Sequence, residues 1–209
     1  MLNLLSTKVK LILDFSVSII LFFILSPIFI ICLSIKYFED FHNPIFIQKR
    51  IGKNGRSFEM YKFRTMTPDS EHSGTGYYCF KGDPRITNFG KFLRKYSLDE
   101  LPQLFNVIKG DMSLIGPRPA IIDELVGEKI LDKNLKKITF RTIVKPGISG
   151  YSQVYLRNAA DWNKKLEMDY LYLSYPPIKR IFLDLKIIFL TVFEIIYSKG
   201  VYDLMKGDK

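Results

Sequence analysis

The chain carries one long uninterrupted apolar run near its N-terminus. From Phe15 to Ile35 the sequence FSVSIILFFILSPIFIICLSI contains no charged residue. At about 1.5 Å rise per residue, about 21 helical residues reach the roughly 30 Å thickness of a hydrocarbon core. The run is longer than a signal-peptide core and no small-residue cleavage site follows it. The pattern therefore predicts a permanent membrane helix within residues 1–38.

Ser26 and Pro27 interrupt this run near its centre. Proline removes one helical hydrogen bond and its ring clashes with the preceding turn, while a serine hydroxyl can bond to a carbonyl one turn back and ease the break. Two topologies follow: a kinked helix that spans the bilayer, or a re-entrant helix that bends at Ser26-Pro27 and returns to the side it entered. The length of the run favours a span, whereas lysines on both flanks favour two cytoplasmic ends.

Alternating apolar and polar positions predict a β-hairpin over residues 43–66. Ile45 and Ile47 alternate on the first arm, and the second arm places four residues on one face: Phe58, Met60, Lys62 and Arg64. The sequence GKNG at residues 52–55 supplies the turn. The string GKNGRS lacks the spacing of a phosphate-binding loop, so it is interpreted as a turn only.

Helical spacing and helix-breaking residues organise the rest of the chain. A short helix is predicted over about residues 88–96, and the next begins near Ser97–Asp99, with Pro102 in its first turn and Gly110 closing it. Three further segments follow: a helical stretch at about 120–138, a strand-and-turn region at 141–155, and an apolar but charge-punctuated stretch at 177–197 suited to a core or to the membrane interface. The fold class is therefore α/β. Residues 39–209 form a small mixed domain with a β-hairpin and several short amphipathic helices, preceded by the membrane helix.

Charge adds a class of partner. The chain has 31 Lys+Arg against 21 Asp+Glu, a formal net charge of +10. This excess suggests nucleic acid, an anionic membrane face or phosphorylated substrates as partners, unless it is only a solvated basic surface. Cys32 lies inside the apolar run, so a disulfide with Cys79 is not expected. The two histidines stand apart, so the pattern supports neither zinc binding nor histidine catalysis.

Asp99 and Glu100 are the first candidates for chemistry. Ser97 and Glu100 have the spacing of a capping box, and acids at a helix start interact favourably with the dipole, so the pair has a structural interpretation. The functional interpretation uses the same position. A helix start lowers the pKa of an aspartate, which suits a carboxylate nucleophile or a magnesium ligand. Adjacent helical residues point about 100° apart, so the two acids are expected to have different roles.

Basic residues supply the matching cations. Pro117 and Pro119 fix the backbone around Arg118, whose planar guanidinium is either pre-organised to clamp a phosphate or merely solvated. The other candidates are Lys62, Arg64 and Arg94. Each cation is weak evidence alone, but a carboxylate at a helix start beside a clamped arginine and several cations is typical of a phosphoryl-transfer site.

Three segments resemble one known family. These are YKFRTM (61–66), DPRITNFGKFLRKYSLDELPQLFNVIKGDMSLIGPRP (83–119) and VKPGISGYSQV (144–154), which follow an apolar helix with Ser-Pro. They are similar to the bacterial sugar transferases, the monotopic polyprenyl-phosphate phosphoglycosyl transferases. The resemblance covers nearly the whole chain, and the segment 83–119 is highly specific. It implies the minimal catalytic form, without the extra transmembrane helices of larger members.

By this resemblance, Asp99 is the nucleophile that attacks the sugar-bearing phosphate of a UDP-sugar, releases UMP and carries the phosphosugar covalently. Polyprenyl (undecaprenyl) phosphate then takes the phosphosugar, which initiates membrane-linked glycan assembly. Glu100 completes the acidic pair, and Mg²⁺ neutralises the diphosphate beside Asp99. The resemblance also implies a re-entrant helix bent at Ser26-Pro27 and a catalytic domain on the cytoplasmic face of the bacterial inner membrane. The candidate substrate-binding residues are Lys62, Arg64, Arg94, Arg118, Arg141 and Gln153.

The chain departs from the family pattern after PGISG. The family has WAQV followed by NGRN, whereas residues 151–158 read YSQVYLRN, so a substrate preference carried by this loop does not follow from the resemblance. Two other functions compete. A membrane-tethered nucleic-acid binder predicts aromatic residues interleaved with a basic stripe, and a membrane scaffold leaves the acidic pair beside a clamped arginine unexplained. Nucleic acid is therefore not expected as a partner. The sugar and a possible homodimer stay open.

Overall fold

The computed structural model describes residues 2–70, 80, 82–120, 139–156 and 162–197. In chain order its elements are α1 (Leu2–Asp40), β1 (Ile45–Ile51), β2 (Ser57–Phe63), α2 (Asn88–Lys95), α3 (Gln103–Lys109), β3 (Ser113–Ile115), β4 (Gly147–Ser149), α4 (Tyr151–Leu156), α5 (Trp162–Ser174) and α6 (Pro177–Ile196). The predicted α/β class, with one antiparallel hairpin, short helices and a long apolar N-terminal helix, is confirmed.

Helix α1 continues through Pro27 as a single helix. Proline has no N–H to donate to the carbonyl four residues earlier, which belongs to Phe23. The Ser26 hydroxyl donates to that carbonyl instead, at 2.8 Å, as the sequence predicted. By length and composition the helix is able to cross a membrane. Most of its large apolar side chains are exposed, with exposed fractions up to 71% at Phe23.

The two halves of α1 are fixed by polar contacts to distant parts of the chain. Near the N-terminal end, the Lys10 ammonium donates to Asp184 of α6 at 2.6 Å. One turn later Asp14 accepts from the Ser113 hydroxyl at 2.7 Å and from the Leu114 N–H at 3.3 Å. These partners satisfy a carboxylate that is almost completely buried, and burial without them would be costly. The first half of α1 therefore packs on β3 and α6.

The C-terminal half of α1 packs on the hairpin and α2. Lys36 is fully buried, and its ammonium donates to Glu39 at 2.5 Å and to the Thr87 hydroxyl at 3.4 Å. Cys32 belongs to a buried apolar cluster with Phe63 of β2 and Leu93 of α2. Between the halves, Phe22 and Phe29 contact Phe105 of α3, edge to face. Helix α1 is thus packed into the core of the described structure along both of its halves.

The predicted β-hairpin is present. Strands β1 and β2 pair antiparallel, with Ile51 opposite Ser57 at the turn end. Asn54 and Gly55 have φ values of 56° and 75°, the left-handed conformation that asparagine and glycine tolerate best. Met60 and Val107 share a second apolar cluster, with Phe58 packed against it, so the strand face that carries Met60 turns toward α3.

The segment around the acidic pair differs from its predicted form. Ser97 has a φ of 54° and its side chain makes no capping hydrogen bond, so the expected capping box does not form. Leu98–Glu100 form a separate 3₁₀ turn, and α3 begins only at Gln103, after Pro102. A helical turn therefore begins at Leu98, within the predicted start at Ser97–Asp99, but it is a 3₁₀ turn, and the α-helix itself begins only at Gln103. Gly110, with φ of 87°, ends α3 as predicted.

A short parallel pair was not predicted. Ser113 pairs with Gly147 and Ile115 with Ser149, so β3 and β4 bring the Gly-Pro-Arg-Pro loop beside the PGISG segment. A Cβ on Gly147 would lie 2.1 Å from the backbone nitrogen of Gly116, which makes glycine the residue that fits this approach. The region 141–155 was predicted as strand and turn, but it ends in helix α4.

Helix α6 covers the predicted apolar C-terminal stretch. Asp184 and Ile187 face the core, whereas Phe182, Phe189 and Ile196 are more than two-thirds exposed. This one-sided exposure agrees with the expectation of a helix that packs on a core and faces an interface. The helix expected at about 120–138 lies outside the described residues, except for its first position. Residues 71–79, which include Cys79, and residue 81 also lie outside them.

Candidate active site

Asp99 and Glu100 occupy the 3₁₀ turn between α2 and α3, where cations from two other segments meet them. The Lys62 ammonium on β2 donates to Glu100 Oε1 at 2.9 Å. The Arg118 guanidinium reaches the same oxygen at 3.4 Å, from the Gly-Pro-Arg-Pro loop. Among the described residues Asp99 has no ion pair within 4.0 Å, although it is only partly exposed. Among the described residues the turn therefore presents one carboxylate that is engaged in ion pairs, Glu100, and one that is not, Asp99. Different roles for the two acids stay a prediction.

The pKa of Asp99 does not shift in the expected direction. Burial raises the pKa of Asp99 above its usual value, and the adjacent Glu100 charge adds to this, although Lys62 opposes it. Burial also acts against ionisation of Glu100, but the attraction of Lys62 and then Arg118 outweighs it, so the pKa of Glu100 is lowered. The expected lowering of the Asp99 pKa at a helix start is not found, because burial has the largest effect on this carboxyl. As the pH rises, Glu100 therefore loses its proton before Asp99 does.

A buried amide sets the distance between β2 and the acidic turn. Asn106 of α3 is completely buried, its Oδ1 accepts from the Tyr61 N–H at 3.0 Å, and its Nδ2 donates to the Glu59 carbonyl at 2.6 Å. These contacts join α3 to Glu59 and Tyr61, which lie on either side of Met60 in β2. Tyr61 is the neighbour of Lys62 in that strand. In the sequence, Asn106 follows Asp99 at i+7 helical spacing, which indicates only a shared polar helix face, so its contacts to β2 were missed.

Arg94 lies at the C-terminal end of α2, close to the acidic turn. Its Nε donates to the Thr65 hydroxyl at 2.8 Å. Its positive charge lowers the pKa of Asp99, although less than Lys62 does. Lys62, Arg94 and Arg118 therefore surround the acidic pair, as the sequence predicted for these three cations. Whether they bind a substrate stays a prediction.

Arg64 is separated from this group by its own contacts. Its guanidinium forms a bidentate pair with Asp40 at the end of α1, at 2.6 and 2.7 Å, and it also donates to the carbonyls of Asn43 and Met66. The paired guanidinium keeps the pKa of Asp40 well below its usual range. Strand β2 ends at Phe63, so the face shared by Lys62 and Arg64 does not continue. The described contacts of Arg64 join the end of α1 to the β-hairpin.

Two buried arginines donate hydrogen bonds to the backbone of the loop that carries Arg118. Arg141 donates to the Arg118 carbonyl at 2.6 Å, and Arg50 donates to the Pro119 carbonyl at 3.2 Å. Arg141 also pairs with Asp169, which is 1% exposed, at 2.9 Å. The Arg118 side chain itself is 45% exposed, so a large part of it faces solvent. Arg141 was predicted to bind substrate, but here it contacts the loop backbone, while Arg50 and Asp169 were missed.

Gln153 lies on α4, behind the parallel pair. Its Nε2 donates to the Ile148 carbonyl at 3.1 Å, and its buried Oε1 has no hydrogen-bond partner in the described part of the chain. The structure does not bring Gln153 into contact with the acidic pair. Arg157 and Asn158 of the same segment lie outside the described residues, so the family departure at these positions has no structural account.

The carboxylate chemistry of the turn fits a shared magnesium ion. The described residues hold no group of three or more acids, histidines or cysteines that would cage a metal by themselves. Mg²⁺, however, is commonly held by one or two carboxylates together with substrate phosphates. Asp99 supplies such a carboxylate, free of ion pairs in the described structure, and burial has raised its pKa. The residues present therefore fit a magnesium ion that arrives with a diphosphate.

Comparison with known proteins decides the family. The sequence model described as "Bacterial sugar transferase" matches residues 5–198. The chain belongs to this family. This sugar transferase is 43% identical over 160 residues to the "Uncharacterized sugar transferase EpsL" of Bacillus subtilis (strain 168), which covers 76% of the chain and 73% of that relative.

Other relatives of this sugar transferase carry functional names. The "UDP-N-acetylgalactosamine-undecaprenyl-phosphate N-acetylgalactosaminephosphotransferase" of Aeromonas hydrophila is 42% identical over 162 residues, covering 75% of the chain and 36% of the relative. The "Undecaprenyl-phosphate galactose phosphotransferase" of Salmonella typhimurium (strain LT2) is 36% identical over 203 residues, covering 90% of the chain and 40% of the relative. The chain thus spans little more than a third of the length of these two relatives.

Proposed function

We propose that this sugar transferase moves a sugar-1-phosphate from a UDP-sugar to polyprenyl phosphate and releases UMP. The single observation that carries the proposal is the turn in which Glu100 holds Lys62 and Arg118 beside the available carboxylate of Asp99. The names of the relatives, which act on undecaprenyl phosphate, support the class of acceptor. The reaction initiates a membrane-linked glycan.

Asp99 acts as the nucleophile in two balanced steps. Its carboxylate oxygen bonds to the phosphorus that carries the sugar, the bond from that phosphorus to UMP breaks, and UMP leaves with the electron pair. An oxygen of polyprenyl phosphate then bonds to the same phosphorus, the bond to Asp99 breaks, and the carboxylate is restored. The two-step route needs an ionised, reachable carboxylate without a permanent counterion, and Asp99 meets the last condition within the described structure.

The cations orient the diphosphate and spread its charge. Arg118 has exposed donors in a planar fork, which suits a bidentate contact with phosphate oxygens. Lys62 and Arg94 approach the turn from β2 and α2, so the charge that develops on the leaving UMP is met from several sides. Asp99, together with the donor diphosphate, would hold Mg²⁺, which neutralises phosphate charge when bound.

The placement of α1 supports a re-entrant topology. Lys10 and Lys36 are 26 positions apart, about 39 Å along a straight helix. Both are fixed to the same folded region, Lys10 through α6 and Lys36 through Thr87 beside α2. If the helix crossed the bilayer, these two lysines would lie in opposite aqueous phases. One of them would then lose its contacts with the folded domain. We therefore place both ends on the cytoplasmic face of the bacterial inner membrane, with the Ser26-Pro27 region deepest.

No observation in the described structure supports the two competing functions, those of a membrane scaffold and of a nucleic-acid binder. Both would leave the arrangement of Lys62, Arg118 and Glu100 without a chemical purpose, whereas the transferase reading uses all three. The family match also favours the enzyme.

A covalent adduct on Asp99 tests the proposal. Purified protein in detergent micelles is incubated with one UDP-sugar at a time and without polyprenyl phosphate. The expected result is stoichiometric UMP release and a mass increase equal to one phosphosugar, located by peptide mapping at Asp99. Asp99→Asn should give neither, because an amide is not a carboxylate nucleophile.

Asp111→Asn is the matched control, because it makes the same change in a half-exposed acid that pairs with Lys109 outside the site. It should retain wild-type turnover. An adduct that persists in Asp99→Asn, or equal losses in both variants, contradicts the assignment. The sugar that gives the fastest UMP release identifies the donor.

A further inference from the structure

A second charged cavity lies between the N-terminal half of α1, strand β3 and the start of α6. Its volume is about 190 Å³, and its charged lining residues are Lys10, Asp14, Lys53, Lys145, Arg180 and Asp184. The lining contains none of the residues of the acidic turn or of its surrounding cations. The cavity is therefore a separate feature that the proposed transfer reaction does not use.

The two acids of the cavity have partners of their own. Asp184 accepts from Lys10 at 2.6 Å and from the Tyr172 hydroxyl at 2.5 Å. Asp14 accepts from the Ser113 hydroxyl and from a backbone N–H of β3, and the Lys10 ammonium lies 3.9 Å from its Oδ1. Because the lining carries four cations against these two carboxylates, positive charge is in excess in the cavity.

Three cations of the cavity lack a counterion. Lys53, Lys145 and Arg180 have no carboxylate within 4.0 Å in the parts of the chain that the structure describes, and the Arg180 Nε is buried without a hydrogen-bond partner there. Lys145 and Arg180 are half-buried, whereas Lys53 is exposed at the hairpin turn. Burial lowers the pKa of Lys145, the charges of Asp14 and Asp111 oppose this effect, and the nearby charge of Lys53 lowers the pKa further. Half-buried cations without a close counterion are stabilised by an anion between them.

The walls beside these cations are suited to an acyl chain. On α1, Leu11 lines the cavity and Ile12 is 65% exposed, and on α6 Ile181 lines it while Phe182 is 68% exposed. Both helices thus carry bare apolar surface up to the edge of a cationic cavity. A soluble anion would leave that surface uncovered, whereas a lipid would cover it with its tails and pair its phosphate with the cations.

We propose that this cavity binds the phosphodiester headgroup of an anionic glycerophospholipid from the surrounding bilayer. Lys145 and Arg180 contact the phosphate from the domain side, Lys53 closes the site from the hairpin turn, and the acyl chains lie along α1 and α6. The bound lipid ties the two helices to each other and fixes how deeply the domain sits. This proposal rests on the membrane placement proposed above, but not on the transfer chemistry.

Binding of short-chain lipids tests the proposal. Wild-type protein in a neutral detergent is titrated with dioctanoyl phosphatidylglycerol, dioctanoyl phosphatidylcholine or inorganic phosphate, and the melting temperature and native mass spectrum are recorded. Phosphatidylglycerol should bind one to one and at least tenfold more tightly than phosphatidylcholine. The double variant Lys145→Gln/Arg180→Gln should lose at least tenfold in affinity, and Arg180→Lys should keep most of it.

The matched control is Lys179→Gln/Lys186→Gln. It removes two charges from α6 outside the cavity, where these lysines lie over the rings of Tyr175 and Tyr155. It should change phosphatidylglycerol affinity by less than twofold. An equal loss in the control would mean general electrostatic attraction, and equal binding of both lipids or of inorganic phosphate would also overturn the lipid site.

Turnover separates this proposal from the proposed function. UMP release and acceptor KM are measured on the same preparations without added phospholipid. An acceptor KM raised tenfold in Lys145→Gln/Arg180→Gln would assign the cavity to polyprenyl phosphate and overturn the structural-lipid role. A wild-type protein that binds phosphatidylglycerol selectively but releases no UMP from any donor would contradict the transfer reaction and leave the cavity assignment standing.

Discussion

Replacing Asn106 with alanine should destabilise the protein more than any other single asparagine change among the residues that the structure describes. The side chain is completely buried and holds the Tyr61 N–H at 3.0 Å and the Glu59 carbonyl at 2.6 Å. Asn106→Ala leaves one donor and one acceptor of β2 without a partner. An unsatisfied buried group costs about 1–3 kcal/mol, and the half-buried strand edge admits some water, which favours the lower part of that range.

The two groups together give a loss of about 2–3 kcal/mol in the free energy of unfolding. For a chain of this size, about 2–4 °C of melting temperature is lost per kcal/mol, so the expected shift is about 4–12 °C. Thermal unfolding in detergent, followed by far-ultraviolet circular dichroism, measures it. Because Lys62 follows the released residues on the same strand, kcat/KM should also fall at temperatures well below the melting point.

Asn88→Ala is the control for this prediction. Asn88 is exposed at the first position of α2, and its amide oxygen only accepts from Lys91 at 3.4 Å. Its replacement should change the stability by no more than about 0.5 kcal/mol. If Asn106→Ala and Asn88→Ala melt within 2 °C of each other by this assay, with ~0.5 kcal/mol between them, the amide does not lock β2 to α3 and the reasoning fails.

Four further predictions follow from the site and the N-terminal helix. Arg118→Lys keeps the charge but loses the planar fork, so kcat/KM should fall at least about tenfold, about 1.4 kcal/mol, and unchanged kinetics would make Arg118 structural or solvated. Arg64→Ala should lower stability by about 1–3 kcal/mol, because Asp40 loses its bidentate partner and keeps Lys36 and the His42 N–H, while donor KM changes less than about threefold; a tenfold rise in KM would instead make Arg64 a substrate ligand. Removal of divalent cations with EDTA should stop UMP release and magnesium should restore it, whereas undiminished turnover would exclude the metal role. In a cysteine-free background, cysteines at Lys8 and His42 should react only with reagents that enter the cytoplasm, and labelling of position 8 from outside would establish a plain span.

The parts of the fold that were predictable have local causes. The hairpin follows from alternation and from a turn whose Asn54 and Gly55 accept positive φ. In α1, Pro27 has no N–H to donate to the Phe23 carbonyl, and the hydroxyl of the preceding Ser26 donates to it instead. Lys62, Arg94 and Arg118 were identified through chemistry and family resemblance, and the structure brings them around the acidic turn.

The parts that were not predictable depend on distant contacts. Strands β3 and β4 have three residues each and pair across a long sequence separation, so neither shows a period of its own. Arg64 looked equivalent to Lys62 on one strand face, but it is diverted by Asp40, whose position depends on where α1 ends. The pKa of Asp99 depends chiefly on burial, and the missing capping box depends on the left-handed conformation of Ser97; neither is visible in the sequence pattern.

The packing of α1 also has a consequence for preparing the protein. Deleting the first 38 residues would remove Cys32 and Phe29 from the cluster that covers Phe63 and Leu93. The shortened product would have a gap in its interior and would aggregate instead of becoming a water-soluble enzyme. Polar substitutions at outward-facing positions such as Phe23 and Ile24 would keep the inner face of the helix intact. Detergent-free preparations should therefore be sought by redesigning the outer surface of α1 and not by truncation.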